Sequence, residues 1–249
     1  MRDLMQKEEE YEEESEVVEE DAGEEPDDQG NFLVPRQTYL ASGIHIGMKQ
    51  KSEHMKRFIY KVRPDGLAVL NIQMIDDRIR IAAKSLANVK KIAIVSRRNI
   101  SQKAAGKFAE IIGAHSITGR FMPGSFTNPD YKDFFEADIV IVMDPTYDYQ
   151  ALNETTTARI PVIAICGTSN ELNNIDFIIP ANNKSMKSVS TLLWILAREI
   201  LKERGEIKSN EEYTHDISEF VDERFKPVKN VGKGGWERGR GRGMRPRNK

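Results

Sequence analysis

Side chains able to do covalent or metal chemistry are few in this 249-residue chain, and their spacing sets them apart. The one cysteine, Cys166, follows the apolar run Pro161-Val162-Ile163-Ala164-Ile165, with no local signature pairing it with a histidine or other general base. It reads as a buried structural thiol. A lone cysteine also excludes an intrachain disulfide framework and points to a reducing compartment or to indifference to redox. His45, His54, His115 and His215 show neither the H-E-x-x-H spacing nor a cysteine-rich ligand set, so no metal site is expected. Asp144-Pro145 closes an apolar run at a place where an α/β enzyme could hold a catalytic carboxylate; capping of the next turn is the preferred reading. No G-x-G-x-x-G follows an apolar run. Gly106-Lys107 and Gly232-Lys233 lack phosphate-loop spacing, and Gly119-Arg120-Phe121-Met122-Pro123-Gly124 runs into Ser125 rather than lysine. These patterns argue against an enzyme, a cofactor or a small-molecule substrate.

What does gather is cationic and polar. Lys49, Lys51, Lys56, Arg57, Lys61 and Arg63 fall within fifteen residues, beside Phe58 and Tyr60. Arg97, Arg98, Lys103 and Lys107 follow the next expected strand but one. Such density suits neutralisation of nucleic-acid phosphates, and nearby aromatics could stack on unpaired bases. A solvated helix face and two core aromatics account for the same pattern. In the segment from Gly119 to Asn128, glycines bring backbone N–H groups near a ligand, Arg120 offers a fork for phosphate, and Ser125, Thr127 and Asn128 add uncharged partners. The alternative is a rigid loop closing a sheet edge.

The elements that must position these groups alternate. Residues 58–62 and 67–72 flank Arg63-Pro64-Asp65-Gly66, a hairpin-type turn. Residues 75–89 carry apolar side chains at helical steps, with Asp76 and Asp77 placed in the first turn. Strands are expected at 91–97, 116–121, 138–143, 161–165 and 175–179, and helices at 101–113, 149–158 and 186–204. Ser101 is expected to cap its helix, and Arg204 to face solvent. Alternation of this kind predicts an α/β fold with a mainly parallel sheet between helices.

Charge divides the chain in three. Residues 1–30 hold fifteen acids against Arg2 and Lys7, a balance of −13, and are too polar to bury a core. From Lys226 onward nine bases oppose Glu237, a balance of +8, with Arg238, Arg240 and Arg242 in a Gly-Arg repeat. Both ends are expected to be disordered extensions: an acidic one over 1–30, and a polar linker with a basic Arg-Gly tail over 206–249. Residues 31–205 form the expected folded domain, and the stretch 31–225 between the two charged ends carries +3. Apolar runs far short of ~20 residues predict a soluble, cytoplasmic protein with no membrane partner.

Four segments in order carry a resemblance. They are Ser42-Gly43-Ile44-His45-Ile46-Gly47, the Gly119 to Asn128 segment, Asp144-Pro145, and Ile175-Asp176-Phe177-Ile178-Ile179-Pro180-Ala181-Asn182-Asn183-Lys184-Ser185. Together they resemble the ribosomal small-subunit protein S2 family, over residues 36–205 in unbroken order. The resemblance implies a flavodoxin-like three-layer α/β/α fold and no enzymatic role. It also implies a ribosome-associated structural constituent of the small subunit, binding rRNA and neighbouring ribosomal proteins to support assembly and translation. Bacterial members carry a long helical insertion where this chain runs almost directly from hairpin to helix, so the archaeal and eukaryotic type is implied. One departure is Gly167-Thr168, where many relatives have Asp-Thr.

Overall fold

The computed structural model describes residues 32–222. Expectations for the acidic head and for the Arg-Gly tail, including Arg238, Arg240 and Arg242, lie outside the described residues. A short helix, α1 (Arg36–Ser42), leads to an antiparallel hairpin of β1 (Ile59–Val62) and β2 (Ala68–Leu70). Helix α2 (Ile72–Ala87) follows without an intervening segment of any length. Then come β3 (Ile92–Ser96), α3 (Asn99–Ile112), β4 (His115–Thr118), β5 (Ile139–Val142), α4 (Tyr149–Ala158), β6 (Val162–Cys166), β7 (Phe177–Pro180) and α5 (Met186–Glu203).

Strands β3 to β7 form one parallel sheet in the order β4-β3-β5-β6-β7. β3 and β6 are buried at every position, which is why their sequences are continuous apolar runs rather than alternating ones. The chain moves one way along the sheet from β3 to β4, and the other way from β5 to β6. Right-handed crossovers therefore place α3 and α4 on opposite faces and create a three-layer α/β/α body. Helix α5 packs between α2 and α3 on one face, burying Val189, Leu192, Leu193, Leu196 and Ile200.

Several local expectations move. Helix α2 starts three residues early because Asn71 caps it, accepting from the Gln73 N–H. Asp76 consequently leaves the first turn. It is buried and accepts from the Tyr39 hydroxyl at 2.7 Å, the Leu33 N–H at 3.0 Å and Arg80 Nε at 2.9 Å, tying the start of the described chain to α2. Ser101 is not the N-cap of α3; Arg98 occupies that position, and the Ser101 hydroxyl lies buried 2.7 Å from Ser96 Oγ. Arg204 does not face solvent freely. Its guanidinium donates to the Ile112 carbonyl at 2.8 Å, at the unsatisfied C-terminal end of α3.

Packing also continues past Gly205. A strap over residues 206–222 runs back along α5 to the short helix α6 (Ile217–Phe220), whose Asp216 and Glu219 form a reciprocal capping box. Phe220 is 1% exposed, its carbonyl accepts from Ser190 Oγ, and the Val221 carbonyl accepts from Lys103 Nζ. Indole Nε1 of Trp194 donates to the His215 carbonyl at 2.6 Å.

Candidate nucleic-acid interface

Every loop at the carboxyl pole of the sheet carries polar side chains, and each is held by another. Where the strand order reverses, between β3 and β5, open α/β sheets usually keep a ligand crevice. Here Asp148 fills it. One carboxylate oxygen accepts the Arg97 N–H at 2.8 Å and the other the Asp144 N–H at 3.2 Å, so the residue bolts together the ends of both strands. Burial pushes its carboxyl up from the usual 3.8 to about 7, against the downward pull of the Arg97 and Asp144 N–H groups.

Asp144, buried beside it, does cap the following turn, accepting from the Thr146 N–H at 3.2 Å. It also gathers a polar cluster. Arg98 Nη1 at 3.1 Å and Lys184 Nζ at 3.4 Å share its Oδ2, while Asn170 Nδ2 donates to Oδ1 at 2.9 Å. Asn170 Oδ1 in turn accepts from the Gly167 N–H and from Asn183 Nδ2. A Cβ at Gly167 would stand 2.9 Å from Asn183 Oδ1, so the glycine here answers a close approach between two loops. Cys166, just before it, is fully buried, and burial pushes its thiol far above the ordinary range, which keeps it protonated and inert.

Residues 48–52 cross the end of β6. Thr168 Oγ1 accepts from the Met48 N–H at 2.8 Å, and the Thr168 carbonyl from the Ser52 N–H at 2.9 Å. Gly47 makes this crossing possible, since a Cβ there would meet Thr168 Cγ2 at 2.4 Å and the Ala68 carbonyl at 2.9 Å. The loop after β4 wraps around α4 instead. Buried Glu154 accepts the Gly124 N–H at 2.8 Å, the Phe126 N–H at 3.3 Å, Thr127 Oγ1 at 3.4 Å and Gln150 Nε2 at 3.1 Å. The N–H groups that the sequence suggests for an external anion thus meet the protein's own carboxylate.

Comparison with known proteins gives the family. The family model described as Ribosomal protein S2 matches residues 39–133 and 135–203. The chain belongs to the ribosomal protein S2 family. It is 45% identical over 194 residues to small ribosomal subunit protein uS2 of Thermofilum pendens, covering 77% of this chain and 91% of that relative. The uS2 protein of Staphylothermus marinus is 47% identical over 191 residues, 76% of this chain and 87% of its own length. That of Haloquadratum walsbyi is 46% identical over 182 residues, 72% and 65% of the two chains. The family is structural and not enzymatic, and these relatives are archaeal, in keeping with the direct run from hairpin to α2.

Within that frame the sequence candidates sort by exposure. Lys49, Lys51, Lys56, Arg57 and Arg63 are exposed on the 48–52 crossing, the adjoining 3-10 turn and the hairpin, with Lys56 paired to Glu53 at 2.8 Å. Of the two aromatics there, Phe58 is buried and Tyr60 exposed. Arg97, Lys103, Arg120, Thr127 and Asn128 are exposed. Arg98 is half-buried in the Asp144 cluster, and Ser125 is buried with its hydroxyl donating to the Met122 carbonyl at 2.7 Å. Three residues that the sequence did not single out stand at the same pole. They are Lys184 and the exposed rings of Tyr147 and Tyr149. The dense tyrosines of Thr146-Tyr147-Asp148-Tyr149, following an apolar strand, were the available signal. Among the described residues no three histidine, cysteine, aspartate or glutamate side chains group as metal ligands, and no helix is long and apolar enough to cross a membrane.

Proposed function

We propose that this chain is a structural constituent of the small ribosomal subunit, binding rRNA through the carboxyl pole of its sheet and neighbouring ribosomal proteins through its flank, in the cytoplasm. The observation that carries the reading is convergence. Exposed cations from the 48–52 crossing, the hairpin, the end of β3 and the loop after β4 all belong to segments that meet at one end of the sheet. Lys49, Lys51, Lys56, Arg57, Arg63, Arg97, Lys103 and Arg120 neutralise phosphates there, and Arg98 contributes from beside Asp144. Thr127 and Asn128 supply hydrogen bonds, and buried Ser125 sets the turn that presents them. Arg238, Arg240 and Arg242 add salt-sensitive contact from the tail. Leu40, Ile46 and Met48, exposed in and after α1, offer apolar surface to a protein neighbour.

Sedimentation tests the reading. Full-length protein from gently lysed cells should travel with the small subunit at low salt and be progressively released as salt rises. Recovery only at the top of the gradient would overturn it. Arg120→Ala should weaken association more than Lys90→Ala, because Lys90 is exposed at the opposite, amino pole. Equal losses would remove the carboxyl pole from the proposal.

A further inference from the structure

Tyr147 is held in an unusual manner for an exposed side chain. Arg98 Cζ lies 4.7 Å and Lys184 Nζ 5.3 Å from its ring centroid. Both cations also contact the same oxygen, Asp144 Oδ2, which draws them together on the protein side of the ring. The residue is nevertheless 46% exposed, so the face away from that buried carboxylate opens to solvent. The backbone is fixed as well, since the Tyr147 N–H donates to the Asp144 carbonyl at 3.0 Å. An aromatic plate with its underside clamped by two cations has lost most of its rotational freedom before any ligand arrives. Binding to its open face therefore costs little further ordering.

We propose that the open face of Tyr147 is a stacking site for one unpaired RNA base, a contact that rests on the rRNA-binding reading above and names its chemistry. Tyr149, 63% exposed two residues on, adds a second ring at the same pole, and the exposed Arg97 beside them neutralises the flanking phosphate. Arg97 is near because its own N–H is bonded to Asp148, which stands between the two tyrosines in sequence. A base suits the site better than an ordinary protein side chain because its surroundings are cationic, and every nucleotide brings a planar π-face together with negative charge.

The test uses small subunits reconstituted with full-length wild type, Tyr147→Ala, Tyr147→Leu or Tyr147→Phe. Tyr147→Ala and Tyr147→Leu should each weaken binding to the rRNA about tenfold, the equivalent of about 1.4 kcal/mol of stacking, while Tyr147→Phe binds as wild type. Probing of ribose 2′-hydroxyl reactivity should show one or two unpaired nucleotides released in the Ala and Leu variants and protected again with Phe. Incorporation of Tyr147→Ala with an unchanged reactivity profile would overturn the stacking site while leaving the ribosomal reading intact. A Phe variant as defective as Ala would also overturn it, because the hydroxyl rather than the ring would then matter. Loss of a protein cross-link instead of an RNA change would mark a protein contact and reject the base. Wild type failing to enter subunits would sink the underlying reading itself.

Discussion

Replacing Glu154 with alanine isolates the internal anchor of the loop after β4. The carboxylate is 6% exposed and accepts two backbone N–H groups, from Gly124 at 2.8 Å and Phe126 at 3.3 Å. Its other partners, Thr127 and Gln150, are exposed and find water once the carboxylate is gone. The cost therefore comes from the backbone donors. Phe126 is buried and loses its acceptor outright, whereas Gly124 is only half-buried and recovers part of its hydration. At about 1–3 kcal/mol for an abandoned buried donor, the sum is about 3 kcal/mol, which for a body of this size lowers Tm by roughly 6–12 °C. Glu154→Gln keeps one oxygen for Gly124 but turns an NH2 toward Phe126, and should cost about half as much. Thermal unfolding gives the totals, and hydrogen exchange locates them: amides of Gly124 and Phe126 should lose protection in the alanine variant while those of β3 keep it. Unchanged protection at both amides with a Tm close to wild type would refute the claim that this carboxylate holds the loop.

Other consequences follow from the same geometry. Asp148, raised from 3.8 to about 7, stays protonated in the folded chain between about pH 4 and 7 while the unfolded chain ionises. Its contribution to stability therefore falls as pH rises through that window, by about 4 kcal/mol at most, and is flat above it. The Tm advantage of wild type over Asp148→Asn should shrink from pH 4.5 to 7; a constant difference would contradict the assignment. Gly47→Ala should destabilise by more than about 2 kcal/mol in denaturant titration, and Thr168→Ser should relieve part of that because it deletes the colliding methyl but keeps the hydroxyl bonded to Met48. Phe220→Ala should release the strap, so that limited proteolysis cuts within residues 206–222 long before the sheet; cleavage no faster than in wild type would show that Phe220 does not pin it.

The middle of the main sheet was legible because its inner strands are doubly covered, whereas the exposed edge strand β4 stops at Thr118, short of the expected residue 121. Ile139-Val140-Ile141-Val142 and the Val162 strand are apolar without interruption, and helix α4 begins and ends where its pattern says. Helix starts were harder. Asn71 was a readable cap, but Asp76 and Asp77 offered a competing first turn, and the true partners of Asp76, Leu33 and Tyr39, lie about forty residues away in sequence. The strap was passed over because its composition is polar, although Asp216-Ile217-Ser218-Glu219 spells a capping box just before Phe220. At the carboxyl pole, sequence showed which segments bear cations but not their pairing. Nothing local marks Arg98 as the partner of Asp144, 46 residues on, or Glu154 as the acceptor for a loop 30 residues earlier. Charge counts can be read along a chain; which charges cancel is decided by the fold.

The strap also determines where the tail takes off. Helix α5 descends from the carboxyl pole and delivers the chain to the opposite one, where Arg204 grips the last turn of α3. Had the folded body ended there, a basic tail would have set out from the wrong hemisphere and first had to climb the height of the sheet. Residues 206–222 make that return journey as packed structure, ending against Ser190 and Lys103 near the first turns of α5 and α3. Arg238 comes sixteen residues after Asp222 in sequence, so in any conformation it lies within roughly 55 Å of the pole where Arg97, Arg98 and Arg120 already stand. Clipping the strap without shortening the tail would move that origin and leave its composition untouched, which makes the launch point of the tail, apart from its charge, a property that the fold controls.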